Sequence, residues 1–327
     1  MARPIHVALV APTLRILGGH SVQAVRLLNG WRDDPEVQLR LLPINPPPPR
    51  FLAWVARIKY VRTIVTQLSY WPRLVRELRR ADVVHVFSAS SSSFYIAPLP
   101  AIIVSRLYGK PLIVNYRSGD AEQHLDGSSV ARRALKSADL NVVPSSFLRG
   151  VFASFDIPAH VIANVAELDR FRFRARSTLQ PRLLSTRNLE PLYNVACTIR
   201  AFARVQARYP DASLTIVGDG SDGSRLRALV ADLRLRNVTF TGQVPPSDIH
   251  RYYADGDLYV HTPSFDNMPG SVIEAFASGL PAVSTDVGGV PTILSHGVHG
   301  LLAPPDDDAG VAARVVEMLE NPAVARQ

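Results

Sequence analysis

The chain has 327 residues, of which 47% are hydrophobic and 20% are charged, and its net charge is +8. This length and apolar content can bury two cores, so two domains are expected. The single cysteine, Cys197, excludes an internal disulfide and suits a reducing cytoplasmic compartment. Residues 1–12 are too short and proline-broken for a secretion signal. The longest apolar run, residues 94–104, is far too short to cross a bilayer, so no membrane-spanning segment is expected.

Strand-like apolar runs alternate with helical patterns along the whole chain. Many runs are apolar throughout, which is typical of parallel strands covered on both faces. The pattern predicts a doubly wound α/β architecture present twice. The boundary is expected within residues 164–181, where arginines interrupt the apolar rhythm, which gives domains at 1–165 and 166–327. The predicted strands are His6–Val10, Val37–Leu42, Val83–Phe87, Leu112–Asn115, Leu140–Val143, His160–Ile162, Arg182–Ser185, Leu214–Val217, Val238–Thr241, Leu258–His261, Ala282–Ser284 and Leu301–Ala303.

Two glycines, Gly18 and Gly19, follow the first predicted strand and precede a helix expected to begin near Ser21. They would allow the backbone to approach a ligand phosphate or an acceptor, although a flexible loop is the plain alternative. Residues 45–49 contain four consecutive prolines and predict a stiff extended connector. Residues 88–93 are predicted to form a serine-rich loop after the third strand.

Residues 50–80 hold most of the excess positive charge, with eight basic residues against one acid, Glu77. Aromatic and aliphatic residues are interspersed among the arginines. A basic helix of this kind can lie on an anionic membrane leaflet. An anionic soluble acceptor and an ordinary solvated helix face are the alternatives. Nucleic acid is not expected as a partner, because no binding module accompanies the segment.

Three motifs follow in the second half of the chain. Arg187 closes a predicted strand, where its fork would face the ligand crevice and suit a diphosphate. Gly218, Gly220 and Gly223 match a dinucleotide fingerprint, but no acid ends the next strand, so we interpret them as a tight strand-to-helix turn.

Asp257, in an Asp-Gly-Asp sequence, lies before a strand and is expected to be a turn residue. No metal site is predicted. Neither Cys197 nor the scattered histidines indicate nucleophilic hydrolysis.

Residues 262–291 carry the strongest functional signal. An apolar strand leads into a turn that holds Asp266, and a helix is predicted to begin near Gly270. Free amides at a helix start form an anion site, and Glu274, one turn further on, is placed to accept hydrogen bonds from a sugar or ribose. The arrangement predicts a site for a phosphorylated sugar donor.

Structural explanations of the same residues remain open. Ser271 and Glu274 fit a capping box, in which the glutamate only returns to the backbone. Asp266 could simply initiate a turn.

With these residues in hand, the chain resembles the retaining glycosyltransferases of the GT-B fold, specifically glycosyltransferase family four. The resemblance covers nearly the whole chain and is strongest where segments occur in combination. It implies two Rossmann-like domains facing a cleft, the N-terminal one on the acceptor side and the C-terminal one holding the donor. The segments include VALVAPT, ADVVHVFSA and KPLIVNYRSG in the first half, and LLSTRNLEPLYNVACTIRAFARV, VTFTGQVPPSDIHRYYADGDLYVHTPS and DNMPGSVIEAFASGLPAVSTDVGGVP in the second.

The resemblance also implies roles for residues of this chain. Glu274 would contact the ribose hydroxyls, Asp266 the donor sugar and Arg187 the diphosphate, and these three form the predicted catalytic set. Asp266 is a shorter carboxylate than the family's usual glutamate. Further donor contacts are expected from Gly18, Gly19, Arg117, Asn267, Met268, Pro269, Gly270 and Ser271.

Three departures from the family pattern stand out. The lysine usual shortly after the arginine is absent, since NLEPLYNV follows Arg187. Arg117 follows the KPLIVNY strand where the family commonly has a histidine; it could neutralise a phosphate but not reproduce the histidine's contact with the sugar. The chain also stops at Gln327, before helices that the family usually adds, which leaves open whether it is short or its domains are less firmly coupled.

The function expected from the resemblance is metal-independent hexosyl transfer from a nucleotide sugar, with retention at the anomeric carbon. It implies no cofactor besides the donor and favours UDP over GDP as the nucleotide. The expected acceptor is a glycan or a lipid-linked sugar in polysaccharide biosynthesis. The expected location is cytoplasmic, with residues 50–80 on the inner face of the membrane. A catalytically impaired nucleotide-sugar-binding protein and a sugar-nucleotide epimerase of the same fold are the alternatives.

Overall fold

The computed structural model describes residues 3–15, 18–46, 59–176 and 178–326. The chain divides into two compact units, Met1–Val165 and Ala166–Gln327. The first contains β1 (Ile5–Ala11), α1 (Gly19–Gly30), β2 (Val37–Pro43), α2 (Lys59–Arg80), β3 (Val83–Ser88), α3 (Ser91–Ile96), α4 (Pro98–Leu107), β4 (Leu112–Tyr116), α5 (Ala121–Asp126), α6 (Ser129–Lys136), β5 (Leu140–Val143), α7 (Ser146–Ser154) and β6 (His160–Val161).

The second unit repeats the alternation of strands and helices. All twelve predicted strands are confirmed, each within one residue at either end. The unit contains β7 (Arg182–Thr186), α8 (Val195–Arg208), β8 (Ser213–Val217), α9 (Gly223–Asp232), β9 (Val238–Phe240), α10 (His250–Asp255), β10 (Leu258–His261), α11 (Gly270–Ala277), β11 (Ala282–Thr285), β12 (Leu301–Ala303), α12 (Asp308–Glu320) and α13 (Pro322–Arg326).

Each unit has one parallel six-stranded sheet, so the predicted doubly wound fold is confirmed. The first sheet has the order β2-β1-β3-β4-β5-β6. The second has the order β9-β8-β7-β10-β11-β12, which is the Rossmann order counted from its own first strand. The strand order reverses between β1 and β3 in one sheet and between β7 and β10 in the other. Open α/β sheets bind ligands at the carboxyl ends of strands at such a point.

Both faces of each sheet are covered, as the continuously apolar strands predicted. On β3, Val86 packs with the buried leucines of α2, whereas the next residue, Phe87, packs with Ala24 of α1 on the opposite face. On β10, Val260 belongs to the core under α8 and Tyr259 to the core under α11. Each fully buried aliphatic side chain of this kind contributes about 1.5–3 kcal/mol to folding.

Local expectations in the first unit need correction. Helix α1 begins at Gly19, with extended Gly18 as its N-cap, and not near Ser21. The predicted serine-rich loop is partly helical, because α3 begins at Ser91. The proline connector and the first part of the basic segment fall largely within residues 47–58, outside the described residues. Within the described residues, no helix combines the length and hydropathy needed to cross a bilayer.

Asp257 lies at the bend between α10 and β10, as predicted, and is also a buried acceptor for arginines near the domain boundary. Its carboxylate accepts from Arg174 at 2.9 Å and from Arg182 at 2.6 Å. The buried Arg176 lies 3.4 Å away and also donates to the carbonyl oxygen of Ser278. Removing one partner of a buried ion pair costs about 3–5 kcal/mol. The arginines that interrupt the apolar rhythm therefore help to hold the second unit together.

Candidate functional site

Arg187 and Asp266 meet at the point where the second sheet reverses its strand order. Arg187 is the first residue after β7, and Asp266 lies in the loop after the neighbouring β10. Arg187 Nη2 donates to Asp266 Oδ2 at 2.5 Å, and both side chains are 14% exposed. The guanidinium also lies 4.0 Å from the ring centroid of Tyr193. The structure thus brings together two residues that are far apart in the chain, as an ion pair covered on one side by an aromatic ring.

One donor of Arg187 has no acceptor among the residues that the structure describes. Its Nε is buried and makes no hydrogen bond with any described residue. Its Nη1 lies 3.5 Å from Ser271 Oγ, at the limit of a hydrogen bond. A buried unsatisfied donor costs about 1–3 kcal/mol. An oxygen-rich ligand at this edge of the sheet would remove that cost.

His261, the last residue of β10, is a site residue that the sequence did not single out. It is fully buried, with Nε2 3.3 Å from Asp266 Oδ2 and Nδ1 2.9 Å from Ser284 Oγ. Burial lowers its pKa, so a neutral ring faces the carboxylate without forming a well-aligned hydrogen bond to it. The available signal was its place at the carboxyl end of a strand, which scattered histidines share too often to be decisive.

The ionisation of Asp266 depends on these neighbours. Burial alone would raise the pKa of its carboxyl group. The charge of Arg187, with a smaller contribution from the nearby His261, outweighs burial and leaves the pKa below its ordinary value. Asp266 is therefore a carboxylate at neutral pH, already compensated by a cation.

The loop that carries Asp266 rests on the Gly288-Gly289 turn. Gly289 N donates to the carbonyl oxygen of Asp266 at 3.0 Å. A Cβ atom on Gly288 would lie 2.2 Å from that oxygen, and one on Gly289 would lie 1.9 Å from the carbonyl oxygen of Asn267. Gly288 also has φ +52°, a conformation that favours glycine. The two glycines are therefore required by close packing beneath the site.

Helix α11 begins at Gly270, as predicted, and Pro269 is its N-cap with no capping side chain. Ser271 is therefore the second helical residue and not the cap, which contradicts the capping-box interpretation. Met268 precedes the cap, and Asn267 is buried at the start of the same loop. The helix start thus presents backbone amides and the positive end of the helix dipole beside Arg187.

Glu274 lies one turn inside α11 and is held by Tyr253. The Tyr253 hydroxyl lies 3.1 Å from Glu274 Oε2 and 2.6 Å from Thr186 Oγ1 at the end of β7. Tyr253 is fully buried, and burial, with the charge of Glu274 adding to it, raises the pKa of its hydroxyl well above the ordinary value. A hydroxyl that keeps its proton can donate to the carboxylate and orient it. No sequence pattern pointed to Tyr253, which resembles an ordinary core residue of α10.

The glycine motif after β8 supports the loop of Arg187. Gly218 has φ +143°, and a Cβ atom there would lie 2.0 Å from the carbonyl oxygen of Arg187. A Cβ atom on Gly220 would lie 2.4 Å from the carbonyl oxygen of Leu189. These glycines are needed for close backbone packing, in agreement with their interpretation as a tight turn.

The remaining predicted site residues belong to the first unit. Gly18 and Gly19 form the start of α1, and a Cβ atom on either would have no atom within 4 Å. Arg117 follows β4 and donates to Asn115 Oδ1 at 2.9 Å and to Asn164 Oδ1. The structure therefore separates the predicted residues into two groups, one in each unit. Among the residues that the structure describes, no cluster of three or more His, Cys, Asp or Glu side chains could hold a metal ion.

Two family models match the chain. Residues 6–170 match the model described as Glycosyltransferase Family 4, and residues 180–321 match Glycosyl transferases group 1. The chain belongs to glycosyltransferase family 4.

Relatives and solved structures agree with this membership. The chain is 36% identical over 159 residues to the exopolysaccharide phosphotransferase SCO2592 of Streptomyces coelicolor, a match covering 47% of the chain and 17% of that protein. It is 26% identical to the glycogen synthase of Mycobacterium tuberculosis over 76% of the chain and 62% of the enzyme. The chain thus spans less than two thirds of either relative.

The fold is also shared with a solved family structure. The crystal structure of Anabaena Alr3699/HepE in complex with UDP and glucose superimposes with a TM-score of 0.75 at 17% identity, covering 98% of this chain and 93% of that one. This likeness concerns the fold, and GT-B glycosyltransferases are its structural neighbours.

Proposed function

We propose that the chain transfers a hexose from a nucleotide-diphosphate sugar to an acceptor, with retention at the anomeric carbon and without a metal ion. The observation that carries the proposal is the convergence of Arg187, Asp266, the start of α11 and Glu274 at the carboxyl edge between β7 and β10. A cation, free amides and a carboxylate one turn further on match the diphosphate and ribose of such a donor. UDP is the preferred nucleotide, since HepE was solved with UDP and with UDP-glucose.

In the proposed complex the diphosphate lies at the start of α11, where the amides of Gly270 and Ser271 and the Nε of Arg187 donate to its oxygens. Glu274 accepts from the ribose hydroxyls while Tyr253 holds its position. Asp266 faces the transferred sugar but remains paired with Arg187. The cation therefore serves the diphosphate and the aspartate together.

Retention without a dedicated nucleophile favours front-face attack. The acceptor hydroxyl attacks the anomeric carbon as the bond to the diphosphate breaks, and a leaving-group oxygen takes the hydroxyl proton. Negative charge then grows on the diphosphate, where Arg187 and the helix amides are already oriented. Preorganised donors of this kind are worth about 3–4 kcal/mol each in the transition state.

Binding of UDP to the full chain tests the site. We expect Glu274→Ala to raise the Kd for UDP by at least about 100-fold, since two hydrogen bonds to a charged group are lost. Isothermal titration calorimetry measures the Kd for UDP. Glu317→Ala, which removes a carboxylate from α12, is the matched control. An unchanged affinity for UDP in Glu274→Ala would refute the assigned role.

Turnover separates the proposal from its alternatives. Incubation with UDP-sugars and a glycan acceptor should release UDP and form an α-glycoside from an α-linked donor. Binding without release of UDP would identify a nucleotide-sugar-binding protein. Conversion of the donor alone to its epimer would identify an epimerase, and an inverted product would exclude retention.

We also propose that α2 rests on an anionic membrane surface, where a lipid-linked acceptor would be found. Its exposed apolar residues recur every three or four positions, so they share one stripe of the helix; Leu68 is 70% exposed and Trp71 is 42% exposed. The stripe consists of Ile64, Leu68, Trp71 and Val75. The exposed arginines of the same helix are Arg73, Arg76, Arg79 and Arg80.

Co-sedimentation with vesicles tests the membrane proposal. We expect the chain to bind vesicles that contain phosphatidylglycerol and not those of pure phosphatidylcholine, with binding weakened by salt. Leu68→Glu/Trp71→Glu and Arg79→Gln/Arg80→Gln should each reduce binding at least about tenfold, on the basis of about 1 kcal/mol per basic residue. Arg133→Gln/Arg149→Gln, which removes two exposed charges elsewhere in the same unit, should not. Equal binding to both vesicle types would refute the proposal.

A further inference from the structure

Arg117 is a half-buried cation at the carboxyl edge of the first sheet. It is the first residue after β4, and its backbone N–H donates to the carbonyl oxygen of Ser88 at the end of β3. Its guanidinium lies 5.4 Å from the ring centroid of Phe87. The side chain is therefore held in place by two neighbouring strands of the sheet.

The acceptors that Arg117 does have are neutral. Its Nη1 and Nη2 atoms donate to the side-chain oxygens of Asn115 and Asn164. No carboxylate forms an ion pair with it among the residues that the structure describes. The nearest acid further along the chain, Asp120, instead accepts from Ser118 at 2.7 Å and lies 3.4 Å from Ser91 Oγ. A guanidinium has five N–H donors, so two amide oxygens leave at least part of its donor capacity for a ligand.

Two histidines lie beside Arg117. His20 contacts its backbone, and His85 Nε2 accepts from the amide nitrogen of Asn115 at 3.3 Å. Burial, together with the charge of Arg117, lowers the pKa of each ring to about 4. Burial lowers the pKa of Arg117 only to about 10, so the guanidinium keeps its charge at neutral pH. The group as a whole is positive.

We infer that Arg117 binds an anionic group of the substrate, a carboxylate or a phosphate carried by the transferred sugar or by the acceptor. A desolvated charge without a counter-ion costs several kcal/mol, and a bound anion offsets that cost. The planar fork of arginine suits either oxyanion. Gly18 and Gly19 leave open space beside His20, since a Cβ atom on either would have no neighbour within 4 Å. The inference rests on the proposed function, because it assigns the chemical class of a substrate of that reaction.

Two binding measurements on the full chain distinguish the donor from the acceptor as the source of the anion. In the first, UDP-glucuronate is compared with UDP-glucose by calorimetry, and UDP alone is titrated as the reference. In the second, glucuronate and glucose 1-phosphate are compared with glucose in the absence of nucleotide. We expect the anionic probe to bind at least about tenfold more tightly in one of the two, as for a charge-assisted hydrogen bond.

Variants of Arg117 test whether a preference for the anionic probe depends on this residue. Arg117→Gln should abolish the preference for the anionic probe. Arg117→Lys, which keeps the charge but not the fork, should retain part of it. Arg149→Gln removes an exposed arginine from the same unit and should retain all of it.

The outcomes are separable. No preference in either measurement with the unmodified chain, or a preference that survives Arg117→Gln, would overturn the inference. Failure of UDP itself to bind would instead overturn the proposed function, while the second measurement, made without nucleotide, would still decide the role of Arg117.

Discussion

Arg187 and Arg117 each follow a parallel strand of their own sheet, but the protein compensates their charges differently. Each is the first residue after a parallel strand at a carboxyl edge. Arg187 faces Asp266 at 2.5 Å, whereas Arg117 donates to the amide oxygens of Asn115 and Asn164. Within the described parts of the chain, Arg187 is therefore paired with a carboxylate and Arg117 is not. Both arginines lie at a carboxyl edge, but β7 borders the strand-order reversal and β4 does not, and the side chains that the neighbouring loops supply also differ.

The difference has a direct consequence for ligands. Asp266 already neutralises part of the charge of Arg187. Binding of a diphosphate to the second unit therefore also requires the backbone amides at the start of α11. The charge of Arg117 is available in full, although burial near neutral groups makes it costly in the free protein. A bound anion should therefore stabilise the first unit more per charge than the second.

The largest effect is expected from breaking the compensated pair. Arg187→Gln leaves Asp266 buried without its cation and should cost about 4 kcal/mol in the free energy of unfolding, measured in urea. Arg187→Gln/Asp266→Asn should recover most of this loss. Arg117→Gln leaves no charge unpaired and should cost less than about 1 kcal/mol. Equal losses in the two single variants would remove the contrast between the arginines.

Acid should weaken the region around Arg117 through its histidines. Both pKa values are about 4 in the folded chain, against an ordinary 6.5. Between these values the unfolded chain binds protons that the folded chain does not, so stability falls as the pH falls from 6.5 to 4. We expect a loss of about 3 kcal/mol for the two rings together, less than complete desolvation implies because both are partly exposed.

Urea unfolding at pH 7 and pH 5 gives the measurement for the histidines. His20→Gln/His85→Gln should flatten the pH dependence relative to the unmodified chain. His6→Gln replaces another histidine of the same unit and should leave the slope in place. An equally steep slope in the double variant would contradict the assignment.

Replacing glycine by alanine should have different effects in the loops beside the two arginines. Gly289→Ala places a Cβ atom 1.9 Å from the carbonyl oxygen of Asn267, so it should cost about 2 kcal/mol in unfolding and weaken UDP binding. Gly19→Ala meets no atom within 4 Å and should change stability by less than about 0.5 kcal/mol. Thermal unfolding of both variants checks the pair. A tolerated Gly289→Ala would show that the loop of Asp266 is not held as described.

The smallest effect concerns the residue that orients Glu274. Tyr253→Phe removes a hydroxyl 3.1 Å from Glu274 Oε2 and should weaken UDP binding by about 1 kcal/mol, or about fivefold. Tyr252→Phe, one residue earlier in α10, is the matched control. An unchanged affinity for UDP in Tyr253→Phe would mean that Glu274 is positioned by its own helix alone.

Local patterns sufficed for much of this architecture. Continuous apolar runs predicted all twelve strands, and the position of Arg187 at the end of a strand predicted that it faces a ligand crevice. The same reasoning placed Asp257 in the turn before β10, but a short acid-glycine-acid sequence does not reveal the three arginines that surround it. It also missed His261 and Tyr253, whose burial makes them look like core residues. Their roles depend on partners that are distant in the chain.

The amino-acid sequence by itself determined the periodicities, turns and helix starts, because these depend on neighbours within a few residues. Only the tertiary structure decided how charges are compensated, since ion pairs join residues separated by 79 positions, as in Arg187 and Asp266. A guanidinium that has a carboxylate within about 3 Å acts as its counter-ion. A guanidinium that has only neutral acceptors at that distance can bind an external anion. That acceptor is chosen by which loops the fold brings to the same edge of a sheet.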